Sequence, residues 1–249
     1  GKTAINYNRD VEAFPILNAT FEKITGVSPY KSPTDMGVNM AGNCIIDDEI
    51  CCEASRQEII RRYYHTLCDF RLGRVEDSAV YKEELLMSQA GVSPEDRPVV
   101  KAALDRAEDT KMPATAIQLH TGEVITGKTT SLLGASAAVL LNSLKHLAGI
   151  AHEIPLISPI IIEPIQTLKT KHLGNNNPRL HTDEILIALS ICAATNPMAE
   201  LALQQLPKLS GCEAHSSVIL SQVDSSVFRK LGVNLTCEPR YQTKKLYHK

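Results

Sequence analysis

The chain has 249 residues, of which 43% are hydrophobic and 22% are charged, so it is long enough to bury a sizeable core in one large domain or two smaller ones. Its 26 basic and 28 acidic residues give a formal net charge of −2. This balance excludes an overall electrostatic attraction to nucleic acid or to an anionic membrane, and we expect neither as a partner.

The first part of the chain is predicted to be helical. Apolar residues recur at three- and four-residue steps over residues 8–24, which is the period of one helix face, and Gly26 ends that helix. A turn-rich segment follows, and we interpret residues 44–46 and 50–52 as the arms of a small hairpin. Ser55 and Glu58 form a capping box for the next helix. Further helices are predicted at residues 55–71, 80–90 and 93–109.

Lys111-Met112-Pro113 is the predicted domain boundary, because the pattern changes there to alternating strands and helices. Strands are expected at residues 115–120, 123–126, 154–157, 216–220 and 233–237. Helices are expected at residues 132–148, 160–172, 182–194, 197–206 and 224–231. The fold class is therefore α/β, or α+β overall. It consists of a mostly helical subdomain with a small hairpin at 1–111 and an α/β subdomain with a mixed sheet at 112–249.

The segment from Gly122 to Thr129 matches the phosphate-loop pattern GxxxxGK[ST] and precedes a predicted helix. A phosphate loop must curl its amide groups around an anion, whereas the β-branched Val124 and Ile125 favour an extended backbone. The alternative is a hairpin that turns at Thr121-Gly122. In either case Lys128 and Thr129 are candidate cofactor-binding residues, since they can meet an anion at the helix N-terminus.

Two histidine motifs supply candidate catalytic residues. His181 and Asp183 stand at the start of a predicted helix, where they can act as a base or as a pair of metal ligands. The alternative is an ordinary helix start, with Thr182 as the N-cap. Glu213 and His215 are two residues apart just ahead of a predicted strand, and in an extended backbone they would share one strand face. Their alternative role is a strand-end ion pair or a satisfied histidine.

The loop at residues 31–39 supplies three further candidate cofactor-binding residues, Thr34, Asp35 and Asn39. Proline and glycine hold its polar residues in a form that suits a ligand loop and equally a plain connection.

The seven cysteines lack the paired CxxC spacing of a structural zinc site, so we expect reduced thiols and no metal. The most apolar stretch, residues 154–165, is broken by three prolines and is shorter than a membrane span. The chain begins without Met and has no signal peptide, which we interpret as a fragment of a cytoplasmic protein.

Several motifs together resemble the bacterial uncharacterised protein family 0371, which carries domain of unknown function 1846. The resemblance runs along nearly the whole chain. Its motifs are Tyr7-Asn8-Arg9-Asp10-Val11-Glu12, Ser32-Pro33-Thr34-Asp35-Met36-Gly37-Val38-Asn39, Glu53-Ala54-Ser55 through Arg61-Arg62-Tyr63-Tyr64, Leu180-His181-Thr182-Asp183-Glu184 and Gly211-Cys212-Glu213-Ala214-His215.

The resemblance implies that the chain is the C-terminal half of a longer protein. The missing N-terminal half would carry its own glycine-rich loop and would bind most of any nucleotide or phosphate. The resemblance also implies that the α/β subdomain is similar in topology to the cytidine deaminases. Zinc deamination does not carry over, because residues 134–138 and 159–163 lack the His and Cys ligands of that motif.

Two hypotheses follow. In the first, the chain is part of a nucleotide- or phosphate-dependent enzyme, and its candidate residues converge on one cleft. In the second, it is a non-catalytic oligomerisation or regulatory module. This hypothesis predicts that the same residues are scattered through the structure as helix caps and ion pairs. We expect a homo-oligomer, for which the apolar helices at 135–147 and 185–194 would supply the contacts.

Overall fold

The computed structural model describes residues 7–28 and 48–242. The described part forms nine α-helices and a four-stranded mixed sheet, which confirms the predicted mixed α/β class. The chain divides into two compact units, Gly1–Arg97 and Pro98–Lys249. None of the described helices is both long enough and apolar enough to cross a membrane.

The described part of the first unit is helical. Its elements are α1 (Tyr7–Thr25), α2 (Asp48–Arg71), α3 (Asp77–Ala90) and a short 3₁₀ turn (Pro94–Asp96). Helices α2 and α3 pack together, and the ion pair between Arg62 Nη2 and Glu83 Oε1 at 3.4 Å links them. Gly91 ends α3 in the left-handed conformation with φ +63°, so its amide bonds back to the last turn.

The predicted hairpin is wrong in its second arm, because residues 50–52 lie inside α2. Its first arm, residues 44–46, lies outside the described residues. Helix α2 begins at Asp48 and not at Ser55, which is buried within the helix. A short apolar run fits a strand and a helix equally well, and here the helix continues through it.

The second unit contains all four strands. In chain order its elements are α4 (Pro98–Thr110), β1 (Ala114–Gln118), β2 (Val124–Lys128), α5 (Ala135–Leu147), α6 (Pro159–Thr167), a π-helical turn (Leu168–His172), α7 (Thr182–Ala193), α8 (Pro197–Leu203), a 3₁₀ turn (Leu206–Leu209), β3 (Glu213–Ser216), α9 (Gln222–Lys230) and β4 (Asn234–Cys237).

The sheet order is β2-β1-β3-β4, with β1 antiparallel to both neighbours and β3 parallel to β4. Alternate residues of β1 face opposite layers. Ile117 joins the main core, which includes residues of α5, α7 and α8, whereas Ala116 packs against Val99 and Ala103 of α4. The sheet is therefore covered by helices on both faces.

The segment that matches a phosphate loop is a β-hairpin. Gly122 has φ +87° in its turn, and Val124–Lys128 form strand β2 paired with β1. Gly127 is required by packing, because a Cβ atom there would lie 2.2 Å from the backbone nitrogen of Val139 in α5. The glycine of the motif is thus explained by a strand that runs beneath a helix, and Lys128 is the last residue of that strand.

Two predicted strands need correction. Residues 154–157 form turns, although Leu156 and Ile157 are buried in the core. Pro155 lacks an amide hydrogen and cannot complete a strand ladder, which accounts for the difference. The strand predicted at 216–220 lies earlier, at Glu213–Ser216, where the chain pairs with both β1 and β4.

Strands β2, β3 and β4 run in one direction and β1 runs in the other, since β2 and β3 are both antiparallel to β1. The carboxyl ends of three strands therefore meet at one edge of the sheet. Ligands of open α/β sheets commonly bind outside such an edge.

Candidate functional site

A cavity of about 200 Å³ lies at this edge of the second unit. The residues that follow three strands contribute to its wall, namely Thr129 after β2, Leu220 after β3 and Gln242 after β4, and Pro113 precedes β1. The N-termini of α5, α7 and α9 supply Ser136, His181 and Asp224. The cavity therefore collects strand ends and helix starts, which bring backbone N–H groups and polar caps together.

Asp224 is the central polar group of the cavity wall, and it is 5% exposed. Its Oδ1 atom accepts hydrogen bonds from Thr182, from the backbone nitrogen at 2.9 Å and from Oγ1 at 3.0 Å. Its Oδ2 atom accepts from Ser221 Oγ at 2.7 Å and from His181 Nδ1 at 2.9 Å. Four donors to one carboxylate favour its ionised form over the neutral acid.

Burial opposes the ionisation of Asp224, but the hydrogen bond and charge of His181, together with the Thr182 and Ser221 donors, hold the pKa of this carboxyl below its usual value. An ionised carboxylate only accepts, so His181 Nδ1 carries the hydrogen of the shared bond. The hydrogen bond to Asp224 raises the pKa of His181 despite partial burial, with Lys169 opposing and Glu184 assisting.

His181 Nε2 has no hydrogen-bond partner within the described part of the chain, although the side chain lines the cavity. The histidine is held at the other nitrogen and at its backbone, where its amide donates to Glu184 Oε2 at 2.8 Å. Such a ring can exchange a proton at Nε2 with a ligand while Asp224 stabilises the imidazolium form.

A buried lysine supports this arrangement from the π-helical turn. Lys169 is 4% exposed, and its Nζ atom donates at 2.7 Å both to Glu184 Oε2 and to the carbonyl oxygen of Arg179. Glu184 in turn accepts from the His181 amide. The lysine therefore fixes the loop before α7 and the first turn of that helix as one unit.

The geometry excludes Ser221 as a nucleophile activated by this histidine. Ser221 Oγ lies 3.5 Å from His181 Nδ1 and donates to Asp224, so it is on the carboxylate side of the ring and not at Nε2. Cys192 and Cys212 do not line the cavity, and desolvation raises the pKa of both thiols, so neither is an activated nucleophile. The described residues contain no group of three or more His, Cys, Asp or Glu side chains that could hold a metal ion.

Of the candidate residues from the sequence, His181 and Thr129 line the same cavity. Asp183, Glu213, His215 and Lys128 are not part of its wall. Asp183 Oδ1 accepts from the adjacent amide of Glu184 at 2.8 Å, as expected of a residue in a first helical turn. Of the six candidate residues that the structure describes, two therefore lie on one cavity wall, whereas all of them were predicted to converge on one cleft.

Glu213 and His215 share one strand face as predicted, but each has a structural partner. Glu213 Oε1 accepts from Asn234 Nδ2 at 2.8 Å. His215 is fully buried, with Nδ1 2.8 Å from Thr236 Oγ1 and Nε2 3.2 Å from Glu238 Oε1. Thr34, Asp35 and Asn39 lie outside the described residues.

Sequence reasoning missed Asp224, Ser221, Arg179 and Ser136, which all line the cavity. A signal for the first two is present, because Ser221 and Asp224 are three residues apart and the Ser221 hydroxyl caps the helix start by accepting from the Asp224 amide at 3.1 Å. The link from Asp224 to His181 joins residues 43 positions apart, and the spacing of neither motif predicts it.

The chain matches both parts of one protein family. Residues 1–91 match the family described as Domain of unknown function DUF1846, N-terminal, and residues 95–247 match its C-terminal counterpart. A UPF0371 protein of Streptococcus uberis is 58% identical over 249 residues, and one of Streptococcus pyogenes serotype M5 is 57% identical over the same length.

These two alignments cover 100% of this chain and 50% of each relative, so the chain spans about half the length of the curated relatives it matches. The similarity to uncharacterised family 0371 is thereby confirmed. The implication that the chain is only the C-terminal half is wrong as stated, because the chain contains both matched parts of the DUF1846 region.

Proposed function

The chain belongs to the family of domain of unknown function DUF1846, and on that premise we propose that its cavity is the site of an enzyme that works by proton transfer through His181. One observation carries the proposal. His181 is bonded at Nδ1 to a buried, ionised Asp224, and its Nε2 atom, on the wall of a cavity, has no hydrogen-bond partner among the residues that the structure describes.

The chemistry follows from the two ring nitrogens. Asp224 fixes the ring and raises the pKa of His181, so near neutral pH more of the histidine is protonated at Nε2 than in an unpaired side chain. In that state His181 donates a proton to an oxygen of the ligand, and the deprotonated ring can recover one from water. A general acid with a pKa near the working pH is effective in both directions.

Turnover by the wild-type chain is to be compared with that of His181→Gln, using p-nitrophenyl phosphate and p-nitrophenyl acetate as general substrates. We expect kcat/KM to fall about 10² to 10⁴-fold, the usual contribution of a general acid or base. His152→Gln is the matched control, because His152 is exposed and does not line the cavity. Equal losses in the two variants would remove His181 from the chemistry.

A direct measurement of the ring does not depend on finding a substrate. Diethyl pyrocarbonate acylates an accessible, unprotonated imidazole nitrogen, and His181, whose side chain is 30% exposed and lines the cavity, presents one when Nε2 has lost its proton. We expect modification of His181 whose rate rises as pH increases through its raised pKa. A His181 ring that stays unmodified at high pH contradicts a solvent-accessible proton-transfer role.

A second candidate is a module that assembles with a second copy of this chain. Ile187 and Ile191 lie one turn apart on α7 and are 61% and 62% exposed, which is unusual for isoleucine on a paired helix face. We expect light scattering of the wild type to give twice the mass of one chain. The double variant Ile187→Lys, Ile191→Lys should have the mass of a single chain. A single-chain mass for the wild type at high concentration removes this candidate.

Two broader expectations belong to the proposal. A cytoplasmic setting is supported by the four free thiols among the described residues, Cys68, Cys192, Cys212 and Cys237. The deaminase-like topology remains a prediction, supported by a hairpin followed by a helix that begins at the cavity. The same activity measurements can be made on the relatives, which are about twice as long as this chain.

A further inference from the structure

We propose that the cavity contains a phosphoryl-binding subsite at the N-terminus of α5. The phosphoryl subsite consists of the backbone N–H groups of residues 135–137 and the side chains of Ser136, Thr129 and Arg179. It rests on the proposed function, because it names the class of substrate that His181 would act on, namely a small phosphorylated molecule.

The start of α5 offers unused donors. Helix α5 has 13 residues, and its N-cap, Gly134, has no side chain to bond the first amides. The amide of Gly134 donates to the Leu180 carbonyl, and regular helix bonding begins with Ala138. The amides of residues 135–137 therefore have no acceptor in the described part of the chain, and the helix dipole adds positive potential at the same place.

Two hydroxyl groups of buried residues at this end of the cavity also have no hydrogen-bond partner among the described residues. Thr129 is 2% exposed, lines the cavity and has an Oγ1 atom with no hydrogen-bond partner in the described part of the chain. Ser136 is equally buried on the second residue of α5, and the described residues supply its hydroxyl with no bond. A buried hydroxyl without a partner costs free energy, so a ligand that accepts from both would stabilise the cavity.

Arg179 completes the donor set. Its Nε atom donates to the Thr130 carbonyl at 2.8 Å, which fixes the guanidinium plane, and its backbone amide is held by Asn177 Oδ1 at 3.1 Å. The two terminal nitrogens have no partner among the described residues, and the residue lines the cavity. A guanidinium fork that is fixed at Nε can bind two oxygens of one anion.

The number of donors favours a phosphoryl group over a carboxylate. The donors are three amides, two hydroxyls and two guanidinium nitrogens. They exceed the roughly four acceptor positions on the two oxygens of a carboxylate, whereas a phosphoryl group presents three oxygens and so accepts more hydrogen bonds. Asp224 is the one acidic side chain among the described lining residues, and its four donors satisfy its charge. A cavity of about 200 Å³ is also smaller than the sites of about 300 Å³ or more that enclose drug-sized ligands.

The test uses inorganic phosphate as the probe, titrated into the 249-residue chain by isothermal calorimetry, with acetate as the parallel titrant. We expect saturable binding of phosphate and weaker binding of acetate. Arg179→Gln should raise the phosphate Kd about tenfold or more, since a charge-assisted pair is lost. Arg229→Gln, an exposed arginine of α9 away from the cavity wall, is the matched control and should bind as wild type.

Thr129→Val separates binding from folding. The side chains are nearly the same size, and no hydrogen bond of the ligand-free protein is lost, so the melting temperature should not fall. The phosphate Kd should nevertheless rise about three- to tenfold. Phosphate affinity that is unchanged in both Thr129→Val and Arg179→Gln overturns the proposal, as does acetate binding that is tighter than phosphate binding.

The two proposals fail in different ways. His181→Gln should lower kcat/KM by the same factor of about 10² to 10⁴, and it should still bind phosphate more tightly than Arg179→Gln does. Loss of turnover without any saturable phosphate binding in the wild type overturns the phosphoryl subsite alone. Phosphate binding that depends on Arg179, with turnover that is indifferent to His181, keeps the subsite and removes the proton-transfer role.

Discussion

Asp224 shows how one buried carboxylate can serve both structure and chemistry. It bonds the first residues of α7 through Thr182 and His181, and it bonds Ser221 at the start of its own helix, α9. Two helix N-termini are therefore held by one anion, which is also favoured there by both helix dipoles. The same contacts orient the His181 ring toward any ligand of the cavity.

The pKa shifts of this pair predict how its contribution to stability depends on pH. Asp224 has a lowered pKa, so its contribution is present above about pH 4 and is lost as pH falls through the folded value. His181 has a raised pKa, so its contribution is complete below about pH 6.5 and is lost as pH rises through the folded value. The pair should stabilise the protein most between these limits.

Asp224→Asn should therefore lower the free energy of unfolding by about 2–3 kcal/mol, because buried donors lose a charged acceptor. The loss should be largest between about pH 4 and 6.5, where both members of the pair are charged. Urea unfolding at several pH values measures the difference, and NMR titration should show a lower pKa for His181. Asp183→Asn is the control, since among the described residues the Asp183 carboxylate bonds only the next amide. A difference between wild type and Asp224→Asn that does not vary with pH contradicts the ion pair.

At the scale of elements, the packing of α5 on β2 sets the position of the cavity. Gly127 lets the helix approach the strand so closely that an added Cβ would lie within 2.7 Å of three backbone atoms of α5. Helix α5 begins shortly after β2, so the same approach places Thr129 and Ser136 on one wall. The glycine of the phosphate-loop pattern thus acts through packing and not through a curled loop.

Gly127→Ala should lower the free energy of unfolding by about 3 kcal/mol or more, because the clash is with backbone and not with a flexible side chain. Gly134→Ala is the matched control. Gly134 has φ −69°, and its nearest contact to an added Cβ is 3.8 Å, so we expect a change within about 1 kcal/mol. Circular dichroism during chemical unfolding measures both, and similar losses would mean that the close approach is not what requires glycine.

For the molecule as a whole, helix α4 belongs with the sheet. Val99 and Ala103 of α4 pack on Ala116 of β1, and the compact unit begins at Pro98. The domain boundary predicted at 111/112 would separate α4 from the sheet and expose one of its faces. The change from a helical pattern to an alternating one lies at 111/112, whereas the division between compact units lies at 97/98.

Two fragments test this directly. A fragment of residues 98–249 should unfold cooperatively, because the main core and the α4 layer both lie within it. A fragment of residues 112–249 should be less stable or aggregate, since the sheet face that carries Ala116 loses its cover. Thermal unfolding and light scattering compare the two, and equal stability would support the boundary at 111/112.

The sequence by itself determined the mixed α/β class of fold, the helix periods and the helix that begins at Thr182, although the N-cap of that helix is His181 and not Thr182. These features depend on local propensity, spacing and capping, which neighbouring residues decide. Residues 50–52 and 154–157 show the limit of that reasoning, because a short apolar run can enter a helix, a strand or a buried turn.

Only the tertiary structure decided which polar residues share a site. His181 and Asp224 are brought together because β3 and α9 return the chain to the edge where α7 begins, and Thr129 reaches the same cavity from β2. Glu213 and His215 have the spacing of a site but meet partners within the sheet. Spacing along a strand fixes a shared face, whereas burial and the neighbouring elements decide whether that face meets a ligand or another side chain.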